Sequence, residues 1–141
     1  MEAVREETSP GRAGKYGELQ GDSGGRYEGE VLAGRPHGSG RYLLPKNDGS
    51  DHMVVQYEGD WVQGQRQGSG TRYYVNGETY IGQFVANIRH GEGRYMFANG
   101  DMYAGQWVDD RRTGRGIYFS ANGDIFVGEL QGQPLGGICG P

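Results

Sequence analysis

One stretch decides the fold: residues 80–107 read YIGQFVANIRHGEGRYMFANGDMYAGQW. It opens and closes with the same pattern, in which an aromatic residue, a glycine and a second aromatic residue stand at alternate positions. Between the two copies lie a Gly-x-Gly pair, Gly91 and Gly93, and an Asn-Gly pair, Asn99 and Gly100. Since residues two apart point to the same face of a β-strand, this spacing favours strands joined by turns.

The pattern recurs with a period of 23 residues. Its leading aromatic residues at that spacing are Tyr57, Tyr80, Tyr103 and Phe126. An earlier copy begins at Tyr27, thirty residues before the next one, and we assign the seven extra residues to an enlarged polar loop at 45–53. A fixed period of this length is typical of a repeat protein in which each unit packs against its neighbours.

The unit resembles the MORN repeat (membrane occupation and recognition nexus), whose hallmark is Tyr-x-Gly-x-Trp followed by Gly-x-x-x-Gly-x-Gly. The resemblance covers residues 27–130. Asn87 and Asp110 stand where a bend glycine is expected, and Val31 and Leu130 stand at the tryptophan position. The resemblance implies a non-enzymatic interaction repeat, of the kind found in ciliary radial-spoke heads, parasite cytoskeletal collars and membrane-contact proteins.

The alternation predicts an all-β fold, an elongated single-layer antiparallel ribbon of β-hairpins. Tyr80, Gly82 and Phe84 share one face of a strand, and a strand glycine leaves room for a neighbouring ring. We therefore expect Gly59, Gly82 and Gly105 to lie beneath or beside rings of neighbouring strands. Leading strands are expected near 26–32, 56–62, 79–85, 102–108 and 125–130, and returning strands near 40–44, 70–75, 93–97 and 116–119.

The Asn-Gly connection after Phe97 allows two registers. A two-residue type I′ turn pairs Phe97 with Met102. A three-residue loop closed by a left-handed Gly100 pairs Phe97 with Asp101 and puts Phe97 and Tyr103 on the same face. Because a slip of one residue moves every side chain of a strand across the sheet, this choice decides which residues are buried, and we expect the three-residue loop.

Composition limits the class of protein. The chain has 29 Gly among 141 residues, together with 10 Tyr, 4 Phe and 2 Trp, so we expect aromatic rings over small residues rather than an aliphatic core. The net charge of −4 argues against a dedicated nucleic-acid binder. The single cysteine, Cys139, allows no internal disulfide. The N-terminus does not read as a secretory signal, and we expect a cytoplasmic protein.

No set of residues suggests catalysis. The Gly-x-Gly pairs recur as strand glycines without a following helix, so they do not indicate a phosphate-binding loop. His37 and His90 occupy the same register, but at about 10 Å per repeat they would lie about 20 Å apart, too far to share a metal ion. We therefore expect no enzymatic activity, no metal and no cofactor.

The aromatic residues offer a first candidate site. They could line a shallow groove for a partner peptide or helix, with Tyr and Trp side chains as anchors. The alternative is that the rings are internal and support the sheet. The candidate partner-binding residues are Tyr57, Trp61, Tyr80, Phe84, Tyr103 and Trp107.

The arginines offer a second candidate site. Nine of the fourteen Lys and Arg residues fall between a bend and the following strand, which predicts one basic edge. They are Arg35, Arg41, Arg66, Arg72, Arg89, Arg94, Arg111, Arg112 and Arg115. Such an edge would dock an acidic partner protein or, alternatively, anionic phospholipids. It could equally be solubilising charge on exposed hairpin tips.

These observations lead to one expected organisation. We divide the chain into a flexible tail at 1–14, a partial capping half-repeat at 15–26, the repeat array at 27–131 and a Gly/Pro-rich tail at 132–141. The expected function is a scaffold or adaptor that binds protein partners in a cytoskeletal or ciliary (axonemal) assembly. The alternative is a peripheral membrane adaptor. The last strand is expected to be covered by a second copy of the chain or by a strand or helix of a partner.

Overall fold

The computed structural model describes residues 2–8 and 15–133, with side chains for residues 15–128. The chain forms two compact units, residues 1–68 and residues 69–141. Within the described ranges the regular elements are β-strands and one 3₁₀ turn at Asp22–Gly24. None of the described residues belongs to a helix with the length and apolar character needed to cross a membrane.

The first unit is an antiparallel sheet in which consecutive strands are neighbours. A sixth strand, β6 (Gln65–Tyr73), contains the boundary between the units. The strands before it are β1 (Glu2–Thr8), β2 (Lys15–Gln20), β3 (Arg26–Leu32), β4 (Arg35–Pro45) and β5 (Met53–Val62).

The second unit repeats this arrangement, again with antiparallel neighbours in sequence order. Its strands are β7 (Thr79–Val85), β8 (Ile88–Met96), β9 (Met102–Val108), β10 (Arg111–Phe119) and β11 (Ile125–Gln133). The predicted all-β, single-layer hairpin fold is therefore confirmed. The alternating residues explain it, because the two aromatic residues on either side of the strand glycine are buried, as Tyr80 and Phe84 are in β7.

The bends are tighter than predicted. Leading strands end near the expected residues, but the returning strands β4, β6, β8 and β10 begin five residues earlier. The reason is a two-residue turn with both residues left-handed, as at Ala86 (φ 48°) and Asn87 (φ 74°) and at Asp109 (φ 49°) and Asp110 (φ 72°). Asn and Asp tolerate this conformation better than most residues, so they can replace the expected glycine.

The hairpins β3–β4, β7–β8 and β9–β10 also contain a bulge next to the bend. Gly82 pairs with Gly93, whereas Phe84 pairs with Arg89, so β8 has two more residues than β7 between these pairs. Gly91 lies in this bulge with φ 104°, a conformation that other residues rarely adopt. The bulge shifts the register by two residues and places Arg89 opposite Phe84, with consequences described below.

The three-residue loop is confirmed. The Phe97 N–H donates to the Asp101 carbonyl at 2.9 Å, and the Gly100 N–H donates to the Phe97 carbonyl at 3.0 Å. Gly100 is left-handed with φ 94°. Tyr95 therefore pairs with Tyr103, and both side chains are buried on the same face.

Two segments differ from the expected organisation. Part of the 45–53 insertion lengthens a hairpin, because Pro45 pairs with Met53 and Leu44 pairs with Val54, leaving a loop at 46–52. The expectation of a flexible tail at 1–14 is wrong for residues 2–8, since β1 pairs with β2. Residues 134–141 of the expected C-terminal tail lie outside the described residues.

The prediction that rings of neighbouring strands lie against Gly82 and Gly105 is wrong, because the tyrosine near each glycine belongs to the same strand. A Cβ added to Gly82 would lie 2.5 Å from the Cα of Gly93 and 2.7 Å from the hydroxyl of Tyr80 in its own strand. The ring from a neighbouring strand covers the second glycine of the Gly-x-Gly pair instead, since a Cβ on Gly93 would overlap the Tyr80 ring. Gly105, Gly116 and the ring of Tyr103 repeat this arrangement.

Candidate functional site

The predicted aromatic groove is the core of the sheet. All six candidate side chains are at most 5% exposed, so they cannot serve as partner-binding anchors and that prediction is corrected: Tyr57, Trp61, Tyr80, Phe84, Tyr103 and Trp107. The physical reason is that the rings cover each other. The Trp61 side chain contacts Tyr27 of the preceding hairpin and Tyr57 of its own hairpin, and these contacts cover the rings.

The tryptophan of a repeat joins it to the repeat before. In the first unit, the Trp61 ring lies 5.2 Å from Tyr27 and 5.1 Å from Tyr57, edge to face in both cases, and its Nε1–H donates to the Gly40 carbonyl at 3.1 Å. Edge-to-face pairs of this kind stabilise beyond their buried area. The indole donor is satisfied, so the ring can be fully buried.

The leading tyrosine of each repeat lies along its own strand. Its hydroxyl donates to the carbonyl of the third residue onward, from Tyr57 to Asp60 at 2.8 Å and from Tyr80 to Gln83 at 2.9 Å. Burial raises the pKa of both tyrosines well above the ordinary value. The hydroxyls therefore remain protonated donors at neutral pH, and their role is structural.

The arginines of the predicted basic edge differ in their environment, because some are buried against aromatic rings and others are exposed. Arg89 is 5% exposed and its guanidinium carbon lies 4.6 Å from the centre of the Trp107 ring. Its Nε donates to the carboxylate of Asp110, and its Nη2 donates to the Asp110 carbonyl at 2.9 Å. A buried guanidinium stacked on a ring and paired with a carboxylate is part of the core. Assignment of Arg89 to a docking edge is therefore corrected.

Three more of the nine arginines face the rings. Arg112 is fully buried, 5.5 Å from the Tyr103 ring centre, so its assignment to the edge is also corrected. Arg66 and Arg72 are half-buried, over Tyr57 at 5.7 Å and Tyr74 at 4.9 Å. The exposed members of the set are Arg35, Arg41, Arg94, Arg111 and Arg115. Arg35 and Arg41 belong to the first unit, and the other three belong to the second.

Two carboxylates that the sequence analysis did not single out link the strands of their hairpins. Glu78 accepts the Tyr95 hydroxyl at 2.6 Å and the Ala98 N–H at 3.0 Å. Asp101 accepts the Tyr118 hydroxyl at 2.6 Å and the Ala121 N–H at 2.7 Å. The signal that could have found them is their position, directly after an Asn-Gly pair and 23 residues apart.

These hydrogen bonds shift the acidity of both carboxyl groups. The Tyr118 hydroxyl and the Ala121 N–H hold the pKa of Asp101 below its usual range. Burial alone would raise the pKa of Glu78, but the hydrogen bonds from Tyr95, Ala98 and Asn76 together leave that pKa lowered. The partner of Asp101 is affected in turn, since burial and this hydrogen bond raise the pKa of Tyr118 to about 12.

The two histidines at the same register have a local role. The Nδ1 atom of His37 accepts the Gln63 N–H at 3.2 Å, and that of His90 accepts the Asp109 N–H at 3.3 Å. Gln63 and Asp109 each begin the left-handed turn of the following hairpin. Each histidine thus satisfies a turn N–H. Among the described residues, no group of three or more His, Cys, Asp or Glu side chains could hold a metal ion.

The outer face of the first unit is charged. A row across its strands consists of Glu18, Glu28, Arg41 and Glu58. Arg26 and Arg41 both pair with the Glu28 carboxylate at 2.9 Å. Beside this row lies a shallow groove of about 360 Å³. Its floor includes Gly29, Gly40 and Gly59. The charges at this face largely neutralise each other.

The outer face of the second unit is mostly apolar. One row from β7 to β11 consists of Ile81, Arg94, Ala104, Ile117 and Val127. The adjacent row consists of Thr79, Met96, Met102, Phe119 and Ile125. Ile81, Ile117 and Val127 are 37%, 36% and 61% exposed. A contiguous apolar patch of this kind marks an interaction surface.

Arg94 stands within this apolar row. It is exposed, and its register neighbours are Ile81 and Ala104. No hydrogen bond or ion pair involves its guanidinium within the part of the chain that the structure describes. We call the two rows together the apolar outer face. It combines exposed aliphatic side chains with one unneutralised positive charge.

Fold and surfaces together define a class, a repeat protein of β-hairpins with an aromatic inner face and an outer face that varies. A family profile described as the MORN repeat matches residues 27–49, 57–79, 80–102 and 103–125. These matches cover well over half of the chain, which therefore belongs to the MORN repeat family. MORN repeats are in general non-catalytic and interact with proteins or membranes. The search of curated proteins found no match.

Proposed function

We infer that this chain is a non-enzymatic scaffold that binds a protein partner through the apolar outer face. The single observation that supports it is the row of Ile81, Ile117 and Val127 with Arg94 among them. A partner segment with apolar side chains beside an Asp or Glu would cover the patch and neutralise the arginine. An exposed patch is otherwise unfavourable in contact with water, because apolar burial contributes about 25 cal/mol per Å².

The setting that we propose is a cytoskeletal or ciliary assembly in the cytoplasm. It rests on the resemblance of this chain to short proteins made almost only of MORN repeats, such as those of radial-spoke heads. The lipid alternative has lost its main support, since Arg89 and Arg112 are buried and Arg41 pairs with Glu28. We therefore favour a protein partner over a lipid surface.

The test uses proximity labelling in ciliated cells with the tagged full chain. The test variant is the double substitution Ile81→Glu with Ile117→Glu. The matched control is Val54→Glu with Val62→Glu, which changes side chains of the first unit that are 46% and 42% exposed. All of these sites are solvent-exposed, so both variants should keep the melting temperature of the parent within a few degrees.

We expect axonemal or other cytoskeletal proteins to be labelled by the parent and the control and lost with the test variant. Retention of the same proteins by the test variant would contradict the proposed face. A diffuse distribution away from cilia and cytoskeleton would contradict the proposed setting. Binding to vesicles that contain phosphatidylinositol bisphosphate, with no protein labelled, would replace the proposal by the lipid alternative.

A further inference from the structure

In the hairpins of the second unit, the leading strand and its returning strand make the same two contacts. The first is the carboxylate after the Asn-Gly pair, which accepts a tyrosine hydroxyl, as Asp101 does from Tyr118. The second is the strand glycine, which approaches the glycine opposite so closely that a Cβ on Gly105 would lie 2.7 Å from the Cα of Gly116.

The last described strand, β11, has the residue that a leading strand contributes to each of these contacts. Asp124 follows an Asn-Gly pair at the position of Asp101, and Gly128 stands at the position of Gly105. The carboxylate of Asp124 is exposed and accepts no hydrogen bond from residues 15–128. A Cβ on Gly128 would meet no described atom within 4 Å.

The backbone of β11 is also available on one side. In the described residues it pairs with β10 alone. Its side chains Ile125 and Val127 are each 61% exposed, the highest values for apolar strand residues in this unit. An unpaired strand edge with exposed β-branched residues is a template for addition of another strand.

The residues that stand at the returning-strand positions after β11 do not have the Gly-x-Tyr pattern. Returning strands carry Gly-x-Tyr, as in Gly93-Arg94-Tyr95 and Gly116-Ile117-Tyr118. At the corresponding spacing after Phe126, the residues are Cys139 and Pro141. Neither can donate a hydroxyl to Asp124. In a second copy, β8 and β10 are already paired on both sides, so they are not free to be donated.

We propose that β11 binds an extended strand of a partner protein that carries Gly-x-Tyr. The partner strand lies antiparallel to β11 with its glycine opposite Gly128. Its tyrosine lies opposite Phe126 and donates its hydroxyl to the Asp124 carboxylate. This surface is separate from the apolar outer face, so failure of either proposal leaves the other standing.

The test uses a fluorescein-labelled peptide with the sequence of residues 88–98, IRHGEGRYMFA, and the full chain, followed by fluorescence anisotropy. We expect saturable binding. The peptide with its tyrosine replaced by phenylalanine should bind about tenfold more weakly, since a hydrogen bond to a charged group is lost. The chain with Asp124→Asn should show a similar loss for the tyrosine peptide and no further loss for the phenylalanine peptide.

Two controls distinguish binding at this site from non-specific binding of the peptide. Asp101→Asn changes the equivalent carboxylate, which Tyr118 already occupies, and should leave peptide binding unchanged. A peptide with valine in place of the glycine before Arg-Tyr should not bind, because a side chain there would meet the Phe126 ring, as a Cβ on Gly116 would meet the Tyr103 ring. Equal binding of the tyrosine and phenylalanine peptides, an effect of Asp101→Asn as large as that of Asp124→Asn, or no peptide binding would each overturn the proposal.

Discussion

The two units share one face and differ on the other. Trp61 lies 5.1 Å from Tyr57 in the first unit, and Trp107 lies 5.1 Å from Tyr80 in the second, edge to face in both. Their outer faces differ in character, with Glu28 and its arginine partners in one and Ile117 and its apolar neighbours in the other. The inner face is therefore fixed by the fold, whereas the outer face is free to carry recognition.

A second difference lies inside the core. The Gly64 N–H donates to the Pro36 carbonyl at 2.8 Å, and the Asp110 N–H makes the same bond to the Arg89 carbonyl at 3.0 Å. The backbone is equivalent, but the second unit adds a buried guanidinium and its carboxylate. The same backbone conformation therefore accommodates either a proline paired with a glycine or an arginine paired with an aspartate. The pair, and not either residue alone, fits the site.

The largest effect should come from filling a glycine of the inner face. Gly93→Val places a side chain in the Tyr80 ring and should lower the free energy of unfolding by about 3 kcal/mol, by overpacking that displaces the ring. The measurement is urea unfolding followed by tryptophan fluorescence. The matched control is Gly128→Val, where a Cβ has open space, and there we expect a change below about 0.5 kcal/mol.

Equal losses in these two variants would show that strand glycines matter for their backbone rather than for the ring above them. The shared inner face would then not explain the repeat. An unchanged free energy of unfolding in Gly93→Val would show that the Tyr80 ring does not require a glycine beneath it.

The next effect tests the pair that distinguishes the second unit. Asp110→Asn keeps a residue that tolerates the left-handed turn but removes the charge that faces Arg89. We expect a loss of about 1–2 kcal/mol, the lower part of the range for hydrogen bonds to charged groups, because the Asp110 side chain is 51% exposed. Thermal unfolding measures it. Asp109→Asn, at the neighbouring and more exposed turn position, should change nothing measurable.

The smallest effect concerns pH. Because the pKa of Asp101 is lower in the folded chain than in the unfolded chain, its contribution to stability is complete above the unfolded pKa of about 4 and is lost as the pH falls through the folded value. The melting temperature of the parent should therefore exceed that of Tyr118→Phe at pH 6, and the difference should shrink below pH 4.

The first unit provides the control for this titration. The Tyr42 hydroxyl stands at the position equivalent to Tyr118 and donates to no carboxylate among the residues that the structure describes. Tyr42→Phe should give a difference in melting temperature that does not vary between pH 6 and pH 3. A pH-independent difference for Tyr118→Phe would mean that the Asp101 carboxylate is not its effective acceptor.

Most of the fold could be predicted because it depends on local rules. Alternation of Tyr80, Gly82 and Phe84 places the leading strands, and the left-handed Gly100 fixes the loop register. The early start of the returning strands was missed because Ala86-Asn87 does not look like a type I′ turn without the hairpin around it. The bulge at Gly91 was missed for the same reason, since pairing between strands decides it.

The candidate site was harder to predict because burial depends on the bulge. Counting residues places Arg89 near a hairpin tip. The two extra residues of the bulge instead place it opposite Phe84, where its side chain contacts the Trp107 ring. Nothing in the sequence near Arg89 reveals its partner, which is 21 residues away at Asp110. The apolar outer face could have been found, because Ile81, Ala104 and Ile117 can be aligned once the register is known.

The ties between hairpins recur at a constant spacing, and this has a genetic consequence. Deleting the codons for residues 80–102 would bring Glu78 to the position of Asp101, two residues before Tyr103, where it could accept the Tyr118 hydroxyl. Trp61 and Arg66 would take the places of Phe84 and Arg89, whereas Arg72 would stand where Tyr95 stood. A deletion of one codon more or fewer would turn a strand over. Genes of this type should therefore gain and lose sequence in steps of 69 nucleotides, and vary freely only in the 46–52 loop.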